Sequence, residues 1–411
     1  MPACIDFNYL DYLRSFLTTG PGVQLTFLTY GYEMPLSANT LKFIFCSFML
    51  LLLLSACQVA TTHLPEEFQN DNSALPAIAG MQTTIDDIAG SGGNLGRLAA
   101  LQKQIETRGL APYLSSQHID WYGLQKNLII EIPGKSSQII YFVAHYDKTD
   151  ANPLTFVSLM LNGFLDTLIS PIFLSDGALD NATGVSVLLE LAQQRSRLEN
   201  YYTYRFLFVG SEETGLRGSR VHVARLADAE KASIQFAINV DTVGVKGAEN
   251  CITDGVSDPQ LSYQAIAAAK KLGYTLESDP SPTYSTSDYL PFQELSFASD
   301  FAYGLQLNFV GGILPQRSWF ADPGSVPVLN FSSCGIMQSS ADFITSFLLP
   351  FGQLHSFRDS AELVDLGELY ELYLILDGML GRIEKDGVNK DPFYRIVKHD
   401  GISSIQPVSA N

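Results

Sequence analysis

An α/β fold, a single three-layer α/β/α domain around a mostly parallel central sheet, is expected from three features of this 411-residue sequence. Its strand-length runs are apolar from end to end, as in strands buried on both faces. These runs alternate with segments of helical spacing, the order that lays helices on both sides of a parallel sheet. Hydrophobic residues make up 46% and charged residues 17%, which suits a large core and excludes a disordered chain.

Taken in order, residues 80–110 carry helical spacing and close on Gly109 as a stop. The runs NLIIEI and QIIYFVAHYD, separated by Pro-Gly-Lys-Ser-Ser, read as neighbouring strands. A helix over 184–199 follows, then the strand YRFLFVG, a helix over 217–230, the strand FAINV and a helix over 258–272. VPVLNFSS at 326–333 is a late strand, and 366–385 is a long C-terminal helix. Two connections, 148–175 and 296–325, exceed ordinary loop length, and segments that long line sites or carry elements of their own. The first is apolar enough that it is expected to be covered.

The first sixty residues read as targeting signal instead of fold. Residues 43–56 form an unbroken apolar run of 14, short of the ~20 needed to span a bilayer but of secretory length. The run ends in Leu54-Ser55-Ala56-Cys57, which resembles the lipobox of bacterial lipoproteins. The expected layout is an over-extended N-terminus at 1–33, a signal peptide at 34–56 starting from Met34, and a tether at 57–78 lipidated on Cys57. A catalytic domain over 79–390 and a tail over 391–411 complete it. The protein would then face the periplasm or exterior of the cell envelope, held to the membrane by that lipid. Of five cysteines, Cys251 and Cys334 alone would remain, either paired or as buried free thiols. The formal net charge of -18 argues against a nucleic-acid partner, which would require a basic face.

The chemistry gathers where apolar strands end. In such sheets, ligands bind beyond the carboxyl ends of the strands. One strand ends in His145-Tyr146-Asp147, another in Ser211-Glu212-Glu213, and a third in Asp241. Asp176-Gly177-Ala178-Leu179-Asp180-Asn181 leads into a helix, and His355 precedes the last one. Each has a plain explanation singly: Asp180 or Asn181 could cap a helix, and His145 could be a satisfied strand-end histidine. Together they are hard to explain that way, because adjacent carboxylates leaving an apolar strand repel one another and lose solvation unless a cation compensates. Imidazole and carboxylate donors suit zinc. The other histidines, His63, His118, His222 and His399, are expected at the surface.

The order and wording of GSEETGLRGS, DGALDNATGV and NVDTVG resemble the di-zinc aminopeptidase family, which also includes glutamate carboxypeptidases, glutaminyl cyclases and the transferrin receptor ectodomain. The resemblance covers roughly residues 80–385. It implies two Zn2+ ions per chain: His145 and Asp241 on one, Glu213 and His355 on the other, and Asp180 bridging both. It also implies Asp147 as the partner of His145 and Glu212 as the catalytic carboxylate, the base for water activated between the metals. The implied activity is hydrolysis of N-terminal residues from peptides. Two departures stand out. Ser287-Asp288-Tyr289 replaces the family's frequent Ser-Asp-His, with a second Ser299-Asp300 nearby, and segment 148–175 is longer than the minimal pattern.

A cyclase-like acyltransfer with one zinc, and a non-catalytic binding ectodomain, are the alternatives that the same resemblance leaves. The sequence lacks HExxH and GxSxG, and Pro133-Gly134-Lys135-Ser136 is no P-loop because Ile129 stands where its first glycine belongs. Substrate side-chain preference and oligomeric state are not encoded in any motif here. N-terminal sequencing of the natural precursor is expected to begin at Met34; recovery of peptides from 1–33 would overturn that start.

Overall fold

The computed structural model describes residues 74–120, 123–150, 164–280, 287–293, 326–336, 353–387, 394–399 and 402–407, and everything below refers to these. The expected signal peptide, Cys57 and Ser299-Asp300 lie outside them. No described helix is long and apolar enough to cross a membrane.

The elements, in chain order, are helices α1 (Leu75–Ala89) and α2 (Asn94–Thr107), strands β1 (Leu114–His118), β2 (Lys126–Ile132) and β3 (Ile139–His145), and a short α3 (Phe164–Ile169). Then come α4 (Thr183–Ser196), β4 (Thr203–Val209), α5 (Arg217–Arg225), α6 (Asp228–Ser233), β5 (Ile234–Val240) and β6 (Asn250–Asp254). The remainder is α7 (Pro259–Leu272), β7 (Glu277–Pro280), α8 (Leu290–Gln293), β8 (Val328–Ser333), α9 (Leu366–Asp386) and the hairpin β9 (Tyr394–His399) and β10 (Ile402–Pro407). The helical pattern expected over 80–110 divides into α1 and α2 at Gly90-Ser91-Gly92-Gly93, where Gly92 adopts φ 85°. The helix expected over 217–230 breaks at Leu226 and Ala227, both extended. Asp258 and Asp365 cap α7 and α9 by accepting backbone N–H groups of the first turn.

Eight described strands form one sheet in the order β1-β2-β4-β3-β5-β8-β6-β7. Its centre, β4-β3-β5-β8, is parallel, as is the β6/β7 edge. The β1/β2, β2/β4 and β6/β8 pairs are antiparallel. β2 and β3, read from sequence as neighbours, are separated by β4. Their connection is instead pinned to the chain entering β4, since Lys135 N–H donates to Asn200 O at 3.0 Å and Ser136 N–H to Tyr201 O at 2.7 Å. β3 then pairs with β4 along its whole length.

β3 is buried at every position. Ile140, Phe142 and Ala144 pack toward α1, α2, α4, α7 and α9, while Ile139, Tyr141 and Val143 pack toward α5 and α8. That alternation is the period-two geometry of a strand covered on both faces, and it produces the three layers. His222, expected at the surface, is buried on α5 with Nε2 3.1 Å from the Tyr141 hydroxyl. Burial, reinforced by Arg205, lowers its pKa to about 3 and keeps the ring neutral. The α5 helix has to set its inner face against the sheet, and His222 lies on that face one residue before Val223. His118 is exposed, as expected. Leu168, Ile172 and Leu174, in the described part of the long insertion, are exposed on the single chain.

Cys251 on β6 and Cys334 just after β8 form a disulfide across 83 residues of chain. The antiparallel register sets Cys251 opposite Ser332, so the strands themselves bring the two cysteines together, which the sequence alone did not show. Closing a loop this long restricts the unfolded chain. Replacing both cysteines by serine is expected to cost about 2–5 kcal/mol, read by urea denaturation; unchanged stability would show that the crosslink contributes nothing.

Candidate metal centre

Because β3, β4 and β5 are parallel neighbours, their carboxyl ends open on the same edge of the sheet. β3 delivers His145, the turn after β4 delivers Glu212 and Glu213, and Asp241 immediately follows β5. Asp180 arrives on the irregular turn Ala178–Ala182, where its own backbone is not helical (φ -121°, ψ 87°). His355 arrives on the loop ahead of α9. Ser211, Thr242 and His355 all have left-handed backbones, with φ between 54° and 57°. For residues other than glycine this costs ~1–3 kcal/mol each, and such positions concentrate at functional sites.

The side chains converge around Asp180. Its Oδ1 lies 2.9 Å from His145 Nε2, and its Oδ2 lies 3.1 Å from His355 Nε2. His145 Nε2 is also 3.4 Å from Asp241 Oδ1, and His355 Nε2 is 3.1 Å from Glu213 Oε2. Asp180 thus presents one oxygen to a His145–Asp241 group and the other to a His355–Glu213 group. Each trio offers donor atoms within 4.8 Å of one another. His145, Asp180 and Glu212–Glu213 are likewise near neighbours, since His145, Glu212 and Glu213 form a further such trio.

Asp147 spans the ends of β3 and β4. Its carboxylate accepts the Glu212 N–H at 3.1 Å and the Glu213 N–H at 3.3 Å. His145 Nδ1 is 3.2 Å from the Asp147 carbonyl oxygen and 3.7 Å from Oδ1, so the nearer partner of the ring is the peptide oxygen. Asn181, the other residue considered as a cap, accepts the Gly184 N–H at 3.0 Å and donates to Val240 O at 2.9 Å. It thereby ties the start of α4 to the end of β5 and leaves Asp180 for the centre.

The electrostatics follow from acid crowding in a buried place. Burial raises the Glu212 pKa well above the carboxylate range, and repulsion from Asp288, Glu213 and Asp241 adds to this against the pull of His145. Burial likewise moves Glu213 to about 7. Asp180 goes the other way: burial opposes its charge, but hydrogen bonds to both imidazoles hold its pKa far below normal. Burial disfavours the charged forms of His145 and His355. Asp241 and Glu212 around the first, and Glu213 and Asp180 around the second, outweigh it and raise both well above the usual histidine value. Such a cluster calls for positive charge, and two imidazoles with three carboxylates are the donors that zinc takes. Glu213 Oε1, buried and without a hydrogen-bond partner, is a further oxygen consistent with a cation.

Several neighbours were not identified from sequence. Ser287 donates to Asp241 Oδ2 at 2.5 Å, and Asp288 accepts from Ser219 Oγ at 2.5 Å while its Oδ2 is buried without a partner. The departure Ser287-Asp288-Tyr289 therefore lies against the centre, with Tyr289 buried in the core behind it. Asp359 accepts the Leu179 N–H at 2.7 Å and the Ser175 hydroxyl at 2.8 Å, from the same loop as His355. Arg97 is fully buried on α2, and nothing in its helical surroundings distinguished it from a surface arginine.

Residues 127–303 match the profile of peptidase family M28. Aminopeptidase YwaD of Bacillus subtilis is 28% identical over 220 residues, which cover 52% of this chain and 40% of that protein. An aminopeptidase of Pseudomonas aeruginosa is 30% identical over 132 residues, 32% of this chain and 23% of that protein. The chain therefore spans less than half the length of these relatives. Among solved structures, a glutaminyl cyclase from an Acidobacteriales bacterium aligns at a TM-score of 0.52 with 18% identity, over 76% of this chain and 95% of that one. The LapA aminopeptidase of Legionella pneumophila also aligns at 0.52, with 13% identity, over 89% of this chain and 81% of that one. These two likenesses concern the fold.

Zinc added at about one hundred times its dissociation constant is expected to stabilise the metal-free chain by about 2.7 kcal/mol, read as a rise in Tm. His355→Ala should lose most of that rise; an equal rise in this variant would remove His355 from the centre.

Proposed function

We propose, from the match of residues 127–303 to peptidase family M28, that this chain is a zinc-dependent aminopeptidase that hydrolyses N-terminal residues from peptides. The observation that carries the reading is the carboxylate of Asp180, held with one oxygen toward His145 and the other toward His355. A carboxylate so shared is the natural bridge between two cations, so we assign two zinc sites per chain. His145 and Asp241 would hold one, and Glu213 and His355 the other. Zinc bound there would supply Lewis acidity toward the scissile carbonyl and would acidify water.

The remaining steps belong to the protein. Glu212 would take a proton from the attacking water and return it to the leaving amine. Its buried position raises its affinity for that proton. Asp147, gripping the Glu212 and Glu213 amides, would hold Glu212 at a constant distance from His145. Ser287 would steady Asp241 from the opposite side. The peptide substrate is supported by the similarity to aminopeptidases of Bacillus subtilis and Pseudomonas aeruginosa. A cyclase-like acyltransfer is the second reading, and product analysis on a peptide with N-terminal Gln separates the two.

We also propose a place for the protein in the cell envelope, lipid-anchored through Cys57. The Cys251–Cys334 disulfide supports an oxidising compartment, since cytosolic thiols are kept reduced.

Zinc-loaded protein is expected to hydrolyse aminoacyl-p-nitroanilides. Glu212→Gln is expected to retain zinc while losing about 10²–10⁴-fold in kcat. Parental turnover in that variant would reject Glu212 as the base, and absence of turnover on every substrate despite bound zinc would reject the aminopeptidase reading.

A further inference from the structure

The turn that carries Asp180 has no regular secondary structure to hold it, yet it is held at almost every polar group. Arg97, entirely buried, places its guanidinium beneath the centre. Nε donates to Tyr146 O, Nη1 to Asp176 O at 2.7 Å, and Nη2 to Gly177 O at 2.9 Å. One planar fork therefore joins the segment after β3, between His145 and Asp147, to the segment that leads into Asp180. The approach is close: Gly177 has φ 63°, and a Cβ there would come within 2.7 Å of Arg97 Nη1. No other residue type is accommodated at that position without displacing the guanidinium.

Asp359 completes the arrangement from the other side. Its Oδ1 accepts the Leu179 N–H at 2.7 Å and the Asp180 N–H at 3.4 Å, and its Oδ2 accepts the Ser175 hydroxyl at 2.8 Å. Its own carbonyl accepts the Asp176 N–H at 3.0 Å. The Asp359 loop is also the loop that presents His355. Ser175 is held further by Lys148, whose Nζ donates to Ser175 O at 2.5 Å, and by Asp150, which accepts the Ser175 N–H at 2.8 Å.

A buried arginine is costly, and in a purely structural role apolar packing often replaces a buried charge without loss. The hydrogen-bond partners of this one are all main-chain carbonyls, on the two segments that carry His145 and Asp180. The acids that feel its charge are Asp359, Asp147, Asp180 and Glu213. Three donors in a fixed plane match three carbonyls in a way that a lysine ammonium, a point charge, cannot.

Building on the metal-centre reading above, we propose that Arg97 and Asp359 are positioning residues for the two metal sites. Arg97 locks the His145 segment to the Asp180 turn, Asp359 locks that turn to the His355 loop, and the two halves of the centre are thereby set as one unit. Neither residue touches the reacting atoms. Loosening either one is expected to weaken both metals together through their shared carboxylate, and to lower kcat without changing how substrate is gripped.

The test uses the full chain, stripped of metal and titrated with Zn2+ against a chromophoric chelator, in parent, Arg97→Lys, Arg97→Met, Asp359→Ala and Asp359→Asn forms. Arg97→Lys, Arg97→Met and Asp359→Ala are expected to bind both zinc ions about 10–100-fold more weakly. Asp359→Asn, which keeps an oxygen for the Leu179 and Asp180 amides, should recover most of that loss. With zinc at saturation, KM should stay within about twofold of the parent while kcat falls by about tenfold or more. Should Arg97→Met not fold, Ser175→Ala removes the hydroxyl that donates to Asp359 and accepts the Gly177 N–H, without altering charge, and is expected to weaken zinc in the same direction. Parental zinc affinity and kcat in Arg97→Lys and Asp359→Ala, with only Tm lowered, would overturn the positioning role and leave the metal-centre reading intact. Weakening of one ion alone would overturn the coupling between the halves. A parent chain that binds no zinc would overturn both readings.

Discussion

Repulsion among Asp147, Asp180, Glu212, Glu213 and Asp241, gathered at one edge of a buried sheet, is the constraint around which this molecule is organised. Carboxylates withdrawn from water and placed side by side oppose their own ionisation. The structure answers in two ways. Some of the charge is absorbed by His145 and His355, whose imidazoles lie on either side of Asp180. The rest is absorbed by hydrogen-bond donors, with the Glu212 and Glu213 amides on Asp147 and the Ser287 hydroxyl on Asp241. Two divalent cations would relieve what remains.

The sheet makes such a concentration possible. Parallel strands end at the same edge, and β3, β4 and β5 are adjacent in space although long stretches of chain separate them. Each contributes one or two side chains at or just beyond its last strand residue, where the backbone leaves the ladder. The left-handed residues Ser211, Thr242 and His355 lie at or beside the site residues Glu212, Asp241 and His355, where the chain turns sharply. The rigid part of the fold supplies the direction of approach. The irregular turns supply the final orientation, and their own few hydrogen bonds are supplemented by groups such as Arg97, Asp359 and Asn181.

The interior shows two kinds of polar group. Around the centre, buried charge is arranged to face a ligand. On the opposite face of the sheet, Arg205 pairs with Glu131 and Glu230 and donates to the Tyr141 hydroxyl, which lies beside His222. That second network pairs through neighbouring side chains, leaving only His222 Nδ1 without a partner, and no trio of metal donors lies on it among the described residues. The contrast separates polar groups paired within the packing from polar groups whose donor atoms converge as a metal site would require. It also explains why His222 is neutral, whereas the acids around His145 and His355 favour positive charge at the centre.

Much of the architecture was legible in sequence because its causes are local. Uniformly apolar runs announce strands covered on both faces, helical spacing over 258–272 announces a helix, and a carboxylate emerging from FAINV suggests a site. The positions of His145, Asp180, Glu213, Asp241 and His355 could be named because the type and order of residues at strand ends are properties of the chain itself. What depended on tertiary structure is non-local. The insertion of β4 between β2 and β3 follows from backbone pairing that no short window contains. The Cys251–Cys334 bond follows from the register of β6 against β8, and the burial of His222 from which face of a helix meets the sheet. Arg97 is the clearest case: its helical neighbours read like any amphipathic surface, and its role exists only because three carbonyls from two distant segments come within reach of one guanidinium. Sequence determined which groups were available and in what order; the folded backbone decided which of them meet, because distance across the chain is set by packing and not by position along it.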